Sequence, residues 1–390
     1  MISEKRLAEL QQDLLMLFNS MENDLLLNIA KRINLTDDIT QDNVAEWQFN
    51  KLMQANALNR ENIRTIAKYS GKIETEIERM MTSAGFESVE DDEKVYKQAI
   101  KKGLLDEIDT NVRDSAVLAN ILQASIAQAK DKANLTNIVA LQSTRREYLA
   151  IVNQTFLEVN TGLRSYQSSV RSAVKKLSDR GITAQTYQTA RGIIRYPIDS
   201  AVRRQVITTS VQTAGRMQLA RAEEYGVNLV EVTSHLGARP EHALWQGKIY
   251  AVVGTEGRFR NLAQVTGYGT VGGLQGANCR HQFFPYIQGV SVKSNQPFPL
   301  RESRKVFKES QMQRYLEREV RKEKRRLILL NGIDDKQGFQ NASVKLKQKE
   351  AKLRAFKKQT GRTQANRIEV VGFNRSISQK AVNANRRANE

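Results

Sequence analysis

Residues 104–126, LLDEIDTNVRDSAVLANILQASI, carry apolar side chains at Leu104, Leu105, Ile108, Val112, Val117, Leu118, Ile121, Leu122 and Ile126. Spacings of three and four lay such residues on one face of a helix, and the pattern predicts a single long helix from about Val95 to Ser178. Gly162 and the polar run Ser165 to Ser169 weaken it without ending it. Toward the N-terminus the same period recurs in Leu7, Leu10, Leu14, Leu17, Phe18, Met21 and Leu25. Thr36, Asp37 and Asp38 then make a break with capping potential, and Val44, Trp47, Leu52 and Met53 begin another amphipathic stretch. Gly71 and Gly85 are expected to punctuate two further helical pieces, and the acidic cluster Glu90 to Glu93 reads as a loop or a helix start. All five prolines lie between Pro197 and Pro299, so nothing before 197 holds the strongest helix breaker. Residues 1–196 are therefore expected to be a long-helix region.

Beyond Pro197 the texture changes. Ile198 to Tyr225 is still helical and closes at Gly226, in the position of a C-terminal cap. Val227, Leu229, Val230, Glu231 and Val232 then look like a strand, with further β-like pieces at 248–253 and 281–287 and glycine-rich turns between them. A small α+β module is expected over 197–300. Residues 301–390 read as a basic, helical and partly disordered extension. A narrow apolar stripe accompanies the basic run Arg301 to Arg326, a second run spans Lys345 to Arg367, and Asn374 to Glu390 is a polar end. The expected fold class is mainly α, with a long helical N-terminal region, the α+β module in the third quarter, and the basic extension.

Charge divides the chain in the same direction. The 390 residues hold 61 Lys plus Arg against 42 Asp plus Glu, a formal net charge of +19. Residues 1–110 carry 14 basic and 21 acidic side chains, whereas 301–390 carry 25 and 10. One end should therefore meet protein and the other a polyanion. Candidate phosphate contacts are Arg314, Arg318, Arg321, Lys322, Arg325, Arg326, Lys345, Lys347, Lys349, Lys352, Arg354, Lys357 and Lys358. No base-reading motif accompanies them, so double-stranded DNA would be bound without sequence specificity. A single cysteine, Cys279, rules out an intramolecular disulfide and a four-cysteine zinc site. No stretch approaches the roughly 20 apolar residues that span a bilayer, the N-terminus lacks a signal peptide's layout, and no membrane partner is expected.

All three histidines, the cysteine and one of the two tryptophans fall between His235 and His281. His235, His242, Cys279 and His281 are acceptable zinc ligands. A Cys-x-His pair on a strand, however, points its side chains to opposite faces, so joint ligation needs an intervening turn or bulge. A nucleophilic Cys279 would need a histidine base and an orienting group such as Asn278 or Glu241. A nuclease would be short of acidic ligands, since only Glu231, Glu241 and Glu256 lie between 225 and 300. The residue types favour a structural role. Arg239, Pro240, Gly247 and Asn278 would shape turns, His242 and His281 satisfy buried carbonyls, Trp245 fill a small core, and Cys279 serve as a small buried hydrophobe. No catalytic residue, metal or cofactor is expected on this basis, zinc being the lesser alternative. The glycines of 267–276 are not followed by a helix opening with Lys-Ser or Lys-Thr, so they do not make a P-loop.

Two stretches carry a resemblance. Ser234-His235-Leu236-Gly237-Ala238-Arg239-Pro240-Glu241-His242-Ala243-Leu244-Trp245-Gln246-Gly247-Lys248-Ile249-Tyr250 is the first. The second is Gly267-Tyr268-Gly269 through Gly276-Ala277-Asn278-Cys279-Arg280-His281 to Pro285-Tyr286. Together they resemble the phage minor capsid protein 2 family and, more loosely, the head morphogenesis proteins related to the phage Mu F protein. The resemblance implies a non-enzymatic virion component inside the head near the portal, present in several copies and assembled in the host cytoplasm. Its implied partners are the portal or major capsid protein, and its implied task concerns DNA packaging or ejection. The competing expectation is an enzyme centred on the His and Cys residues, either a nuclease or a toxin-like transferase carried in the virion.

Overall fold

The computed structural model describes residues 4–33, 35, 37–190, 192–362 and 368–388, so Thr36 of the expected break and Arg367 of the second basic run lie outside the described residues. The fold is mainly α. Among the described residues the helices are α1 (Glu4–Ala30), α2 (Val44–Lys101), α3 (Ala116–Asn160), α4 (Tyr166–Arg180), α5 (Ile198–Glu224), α6 (Leu262–Thr266), α7 (Leu300–Gly332), α8 (Lys336–Thr360) and α9 (Arg375–Arg387). The strands are β1 (Thr183–Thr189), β2 (Gly192–Pro197), β3 (Leu229–Val232), β4 (Ile249–Ala251) and β5 (Phe283–Pro285). Packing divides the chain into two units, each drawn from separated stretches. The first is Met1–Leu15, Ile73–Ala133 and Val202–Ser310, and the second is Met16–Lys72, Asn134–Ala201 and Gln311–Glu390.

In the first unit, α2 runs unbroken through Gly85 and the acidic cluster Glu90 to Glu93, correcting the expectation that both interrupt it. Gly85 serves packing instead, because a Cβ there would collide with Met217 Sδ of α5. The acidic residues stay helical because each of three has a partner. Gln218 Nε2 donates to Asp92 at 2.7 Å, Arg221 Nε donates to Glu93 at 2.7 Å, and Arg113 Nε donates to Glu90 at 2.7 Å. The single helix expected over Val95 to Ser178 is divided in two places. Residues 102–115 leave the helix, with Gly103 at φ 67°, and α3 restarts after Ser115, whose Oγ accepts from the Leu118 N–H at 3.3 Å. The second break precedes α4, where Ser165 Oγ caps the Ser168 N–H at 3.4 Å.

Helix α5 delivers the chain to the sheet, turning at Gly226 with φ 67°. The sheet order is β4-β3-β5, antiparallel throughout, with Val230 opposite Tyr250 and Glu231 opposite Phe284. Val230, Val232, Trp245, Tyr250, Leu262, Leu274, Cys279 and Phe283 form its core. Glu231 is buried in the central strand and accepts from the backbone N–H of Asn295 at 2.5 Å and of Ser294 at 3.0 Å. It thereby pins the segment that leads to α7 across the sheet.

The second unit includes a hairpin where the sequence predicts helix. Strands β1 and β2 pair antiparallel from Thr183 opposite Pro197 to Thr189 opposite Gly192, and Tyr187 packs edge to face on Tyr196 at 5.6 Å. α2 also passes through Gly71 without a break. The polar end expected to be partly disordered forms α9, where Asn374 Oδ1 caps the Ile377 N–H at 3.0 Å and Ile377 and Ala381 are buried.

Glu22 is fully buried in this unit. Its Oε1 accepts from the Ile182 N–H at 3.0 Å and lies 3.7 Å from Arg325 Nη1. Burial outweighs the guanidinium and lifts the carboxyl from 4.5 to about 7. Between those values the folded chain holds a proton the unfolded chain has released, so stability falls as pH rises from about 4.5 to 7 and then levels. Glu22→Gln keeps an acceptor for Ile182 and removes this slope. The difference in unfolding free energy between pH 5 and pH 8 should shrink by about 1–3 kcal/mol. An unchanged difference would show that Glu22 carries no shifted proton.

Candidate functional site

His242 opens a short 3-10 turn, His242–Leu244, and Cys279 follows Asn278, whose backbone adopts φ 57°. That left-handed residue is held by its N–H donating to Thr208 Oγ1 at 3.2 Å, while the Cys279 N–H donates to Gly276 O at 2.9 Å. Cys279 and His281 precede β5 rather than belonging to it, so the opposite-face rule for a strand does not apply. The turn that joint ligation required is present. Cys279 Sγ lies 3.6 Å from His281 Nδ1 and 3.7 Å from His242 Nδ1. Ligand atoms of the three residues lie within 4.8 Å of one another, and all three side chains are 2–3% exposed.

The surroundings are aromatic and well braced. The Trp245 ring sits 4.6 Å from that of His242 and 4.8 Å from that of His281. His235, half-buried, packs edge-on against His281 at 4.6 Å, with its Nε2 3.2 Å from Thr233 Oγ1; it stands beside the group of three and outside it. Arg239 Nη2 donates to Ala277 O at 2.5 Å and so ties the His242 turn to the Cys279 turn. Gly247 has φ 65°, and a Cβ there would meet the Gln296 backbone at 2.8 Å. Pro240 and Arg280 are half-buried, and Asn278 is exposed. Sequence reasoning missed Gln246. Its Oε1 accepts from the His235 N–H at 2.8 Å and faces His281 Nε2 at 3.0 Å, a role that no spacing pattern announces for a glutamine.

Burial holds both His242 and His281 below the usual imidazole range, with His281 lowered further by the neighbouring histidines and Arg239. Burial also pushes the Cys279 thiol up. A nucleophilic cysteine needs a low pKa and access to substrate, and this one has neither. The arrangement suits ligation and packing better than acyl or glycosyl transfer.

The basic helices of the second unit divide by environment. Arg325 and Arg326 are buried, where Arg325 Nε donates to Ser178 O at 3.2 Å, and Arg326 pairs with Glu323 at 2.6 Å and Asp179 at 2.7 Å. Arg321 pairs with Asp199 at 3.2 Å, Lys322 with Glu319 at 2.6 Å, and Lys349 with Glu323 at 2.7 Å. All five are candidate phosphate contacts by sequence, but in the fold they are engaged within their own unit, as charges withdrawn from water must be. Arg314 and Lys357 are half-buried, whereas Arg318, Lys345, Lys347, Lys352, Arg354 and Lys358 are exposed. On α8, Lys347, Arg354 and Lys358 succeed one another at seven and four residues along one stripe, with Lys345 and Lys352 on a second. That helix holds eight Lys plus Arg and a single acid, Glu350.

Comparison with known proteins agrees with a structural role. The chain is 27% identical over 301 residues to a structural protein of Lactococcus phage LL-H, covering 74% of this chain and 78% of that protein. It is 34% identical over 88 residues to a structural protein of Lactococcus phage mv4, covering 23% of this chain and 72% of that one. No solved structure matches it. The profile of the family described as phage minor capsid protein 2 matches residues 2–358, a span that contains the His and Cys cluster, both sheets and helices α1 to α7 entire. By that match the chain belongs to the phage minor capsid protein 2 family.

Proposed function

We propose that this phage structural protein sits on the inner side of the head near the portal vertex, in several copies, and bridges head protein to packaged double-stranded DNA. In this reading it joins the portal or major capsid protein in the host cytoplasm during assembly and performs no catalysis. The exposed face of α8 carries the proposal, because two stripes of cations along one helix match a phosphate backbone and read no bases. Docking on protein fits the N-terminal part of the sequence, where residues 1–110 are net acidic and Phe49 and Met53, one turn apart on α2, are 63% and 66% exposed. The buried thiol and neutral imidazoles give the enzyme alternative no comparable support.

The test is duplex-DNA binding by the full chain across a salt series. Five contacts on α8 predict that replacing Lys345, Lys347, Lys352, Arg354 and Lys358 together by glutamine flattens the log–log salt slope by about 4 and weakens binding at least about 100-fold near 0.1 M salt. An unchanged slope would place the phosphate contacts elsewhere and overturn the bridge as described.

A further inference from the structure

Three hydrogen-bond facts around Cys279 do not close without another atom. His242 Nε2 faces Gly272 O at 2.9 Å, and a carbonyl only accepts, so Nε2 carries the proton. Gln246 Oε1 is identified as the oxygen by the His235 N–H that donates to it, so His281 Nε2, 3.0 Å from the same atom, is protonated as well. Both neutral rings therefore turn a bare Nδ1 lone pair toward Cys279 Sγ, at 3.7 and 3.6 Å. A thiol has one proton and can satisfy one of them. The other is left facing sulfur in a buried site, which is costly.

From this convergence we propose that His242, Cys279 and His281 bind a thiophilic divalent cation, zinc above all. The two sulfur–nitrogen distances fit, since zinc with S at about 2.3 Å and N at about 2.0–2.1 Å in tetrahedral geometry holds S and N about 3.6 Å apart; the three ligand atoms as a set lie within 4.8 Å, so the imidazoles would close further on the ion, with a water in the fourth position. Outer contacts fit too. A metal-bound histidine almost always donates its second N–H to a carbonyl, carboxylate or water, and here Gly272 O and Gln246 Oε1 stand in those positions. Coordination would turn Cys279 into a thiolate by releasing its proton to solvent, and the nearby Arg239 guanidinium favours that anion. The site joins three segments of the α+β module: the 3-10 turn, the Asn278 turn, and the approach to β5. Its role is accordingly to lock the module, independently of whether α8 touches DNA.

The experiment uses the full chain, purified without chelator. Elemental analysis should give close to one zinc per chain. Replacement of zinc by Co2+ should give the near-ultraviolet sulfur-to-cobalt band with the visible bands of a tetrahedral ion. Chelation should lower the melting temperature, and added zinc should restore it. Cys279→Ser should lose the sulfur-to-cobalt band, while His235→Ala, outside the ligand set, keeps it. A wild-type chain that holds no zinc, develops no sulfur-to-cobalt band and melts identically with chelator or zinc would overturn the proposal. So would a band that survives in Cys279→Ser. The wild-type measurements decide the matter even if the variant does not fold.

Discussion

Arg221→Ala is expected to cost about 3–5 kcal/mol of stability, because it strips the cation from a buried ionic cluster and leaves the anions behind. Arg221 is 1% exposed and is the largest of the fully buried side chains. Its Nε donates to Glu93 at 2.7 Å, Nη1 to Glu224 at 2.7 Å, and Nη2 to Thr110 O at 3.1 Å, while the guanidinium lies 4.8 Å over the Tyr225 ring. Burial works against its charge, but the two carboxylates more than compensate and raise its pKa above the usual arginine value. With alanine, Glu93 and Glu224 lose their counter-ion, and Thr110 O loses its donor. Arg221→Lys should recover less than half of the loss, since an ammonium cannot present the planar fork that spans three acceptors. Denaturant unfolding of the full chain measures both. A loss under about 1 kcal/mol would mean that water reaches the carboxylates and that the cluster is not what holds residues 102–115 to α5.

Part of the fold was legible in the sequence and part was not, for physical reasons that differ from element to element. Helix α5, its stop at Gly226 and strands β3, β4 and β5 were readable because their signals are local: a glycine that can take positive φ and short β-branched or aromatic runs. The path of α2 was not. A glycine in a helix costs only about 1 kcal/mol, and at Gly85 close packing on Met217 requires the missing Cβ, which one sequence cannot reveal. Apolar period misled across 104–126 because Val112 is buried without being helical, while Leu104 is half exposed. The hairpin of β1 and β2 had a visible signal in TAQTYQT and GIIRYP, overridden by the absence of proline before 197. Charge counting found the basic helices yet could not separate Arg325, paired in the interior, from Lys352, exposed on α8. For the His and Cys residues, spacing made them candidates; their convergence depends on the backbone of one residue, Asn278.

Trp245→Ala is expected to cost about 3–5 kcal/mol, at the upper end for the α+β module because the module is small and the indole is its largest filler. Trp245 is 6% exposed and packs against His242 and His281, and its backbone carbonyl accepts from the Tyr250 hydroxyl at 2.7 Å. Alanine would open a void between the 3-10 turn and the sheet that β3, β4 and β5 cannot close, since Val230, Val232 and Phe283 are already fixed by cross-strand pairing. Cys279→Ser, a change of one atom at a buried site, should cost less in chelator, about 1–3 kcal/mol. Zinc separates the two variants further. A ligand at 100 times its Kd stabilises by about 2.7 kcal/mol, so zinc should recover stability in Trp245→Ala, which keeps all three ligands, and not in Cys279→Ser. Equal losses for the two variants in chelator would mean that the indole is not the principal core filler, and the stability of the sheet would then have to come from Tyr250, Leu262 and Leu274 on its other contacts.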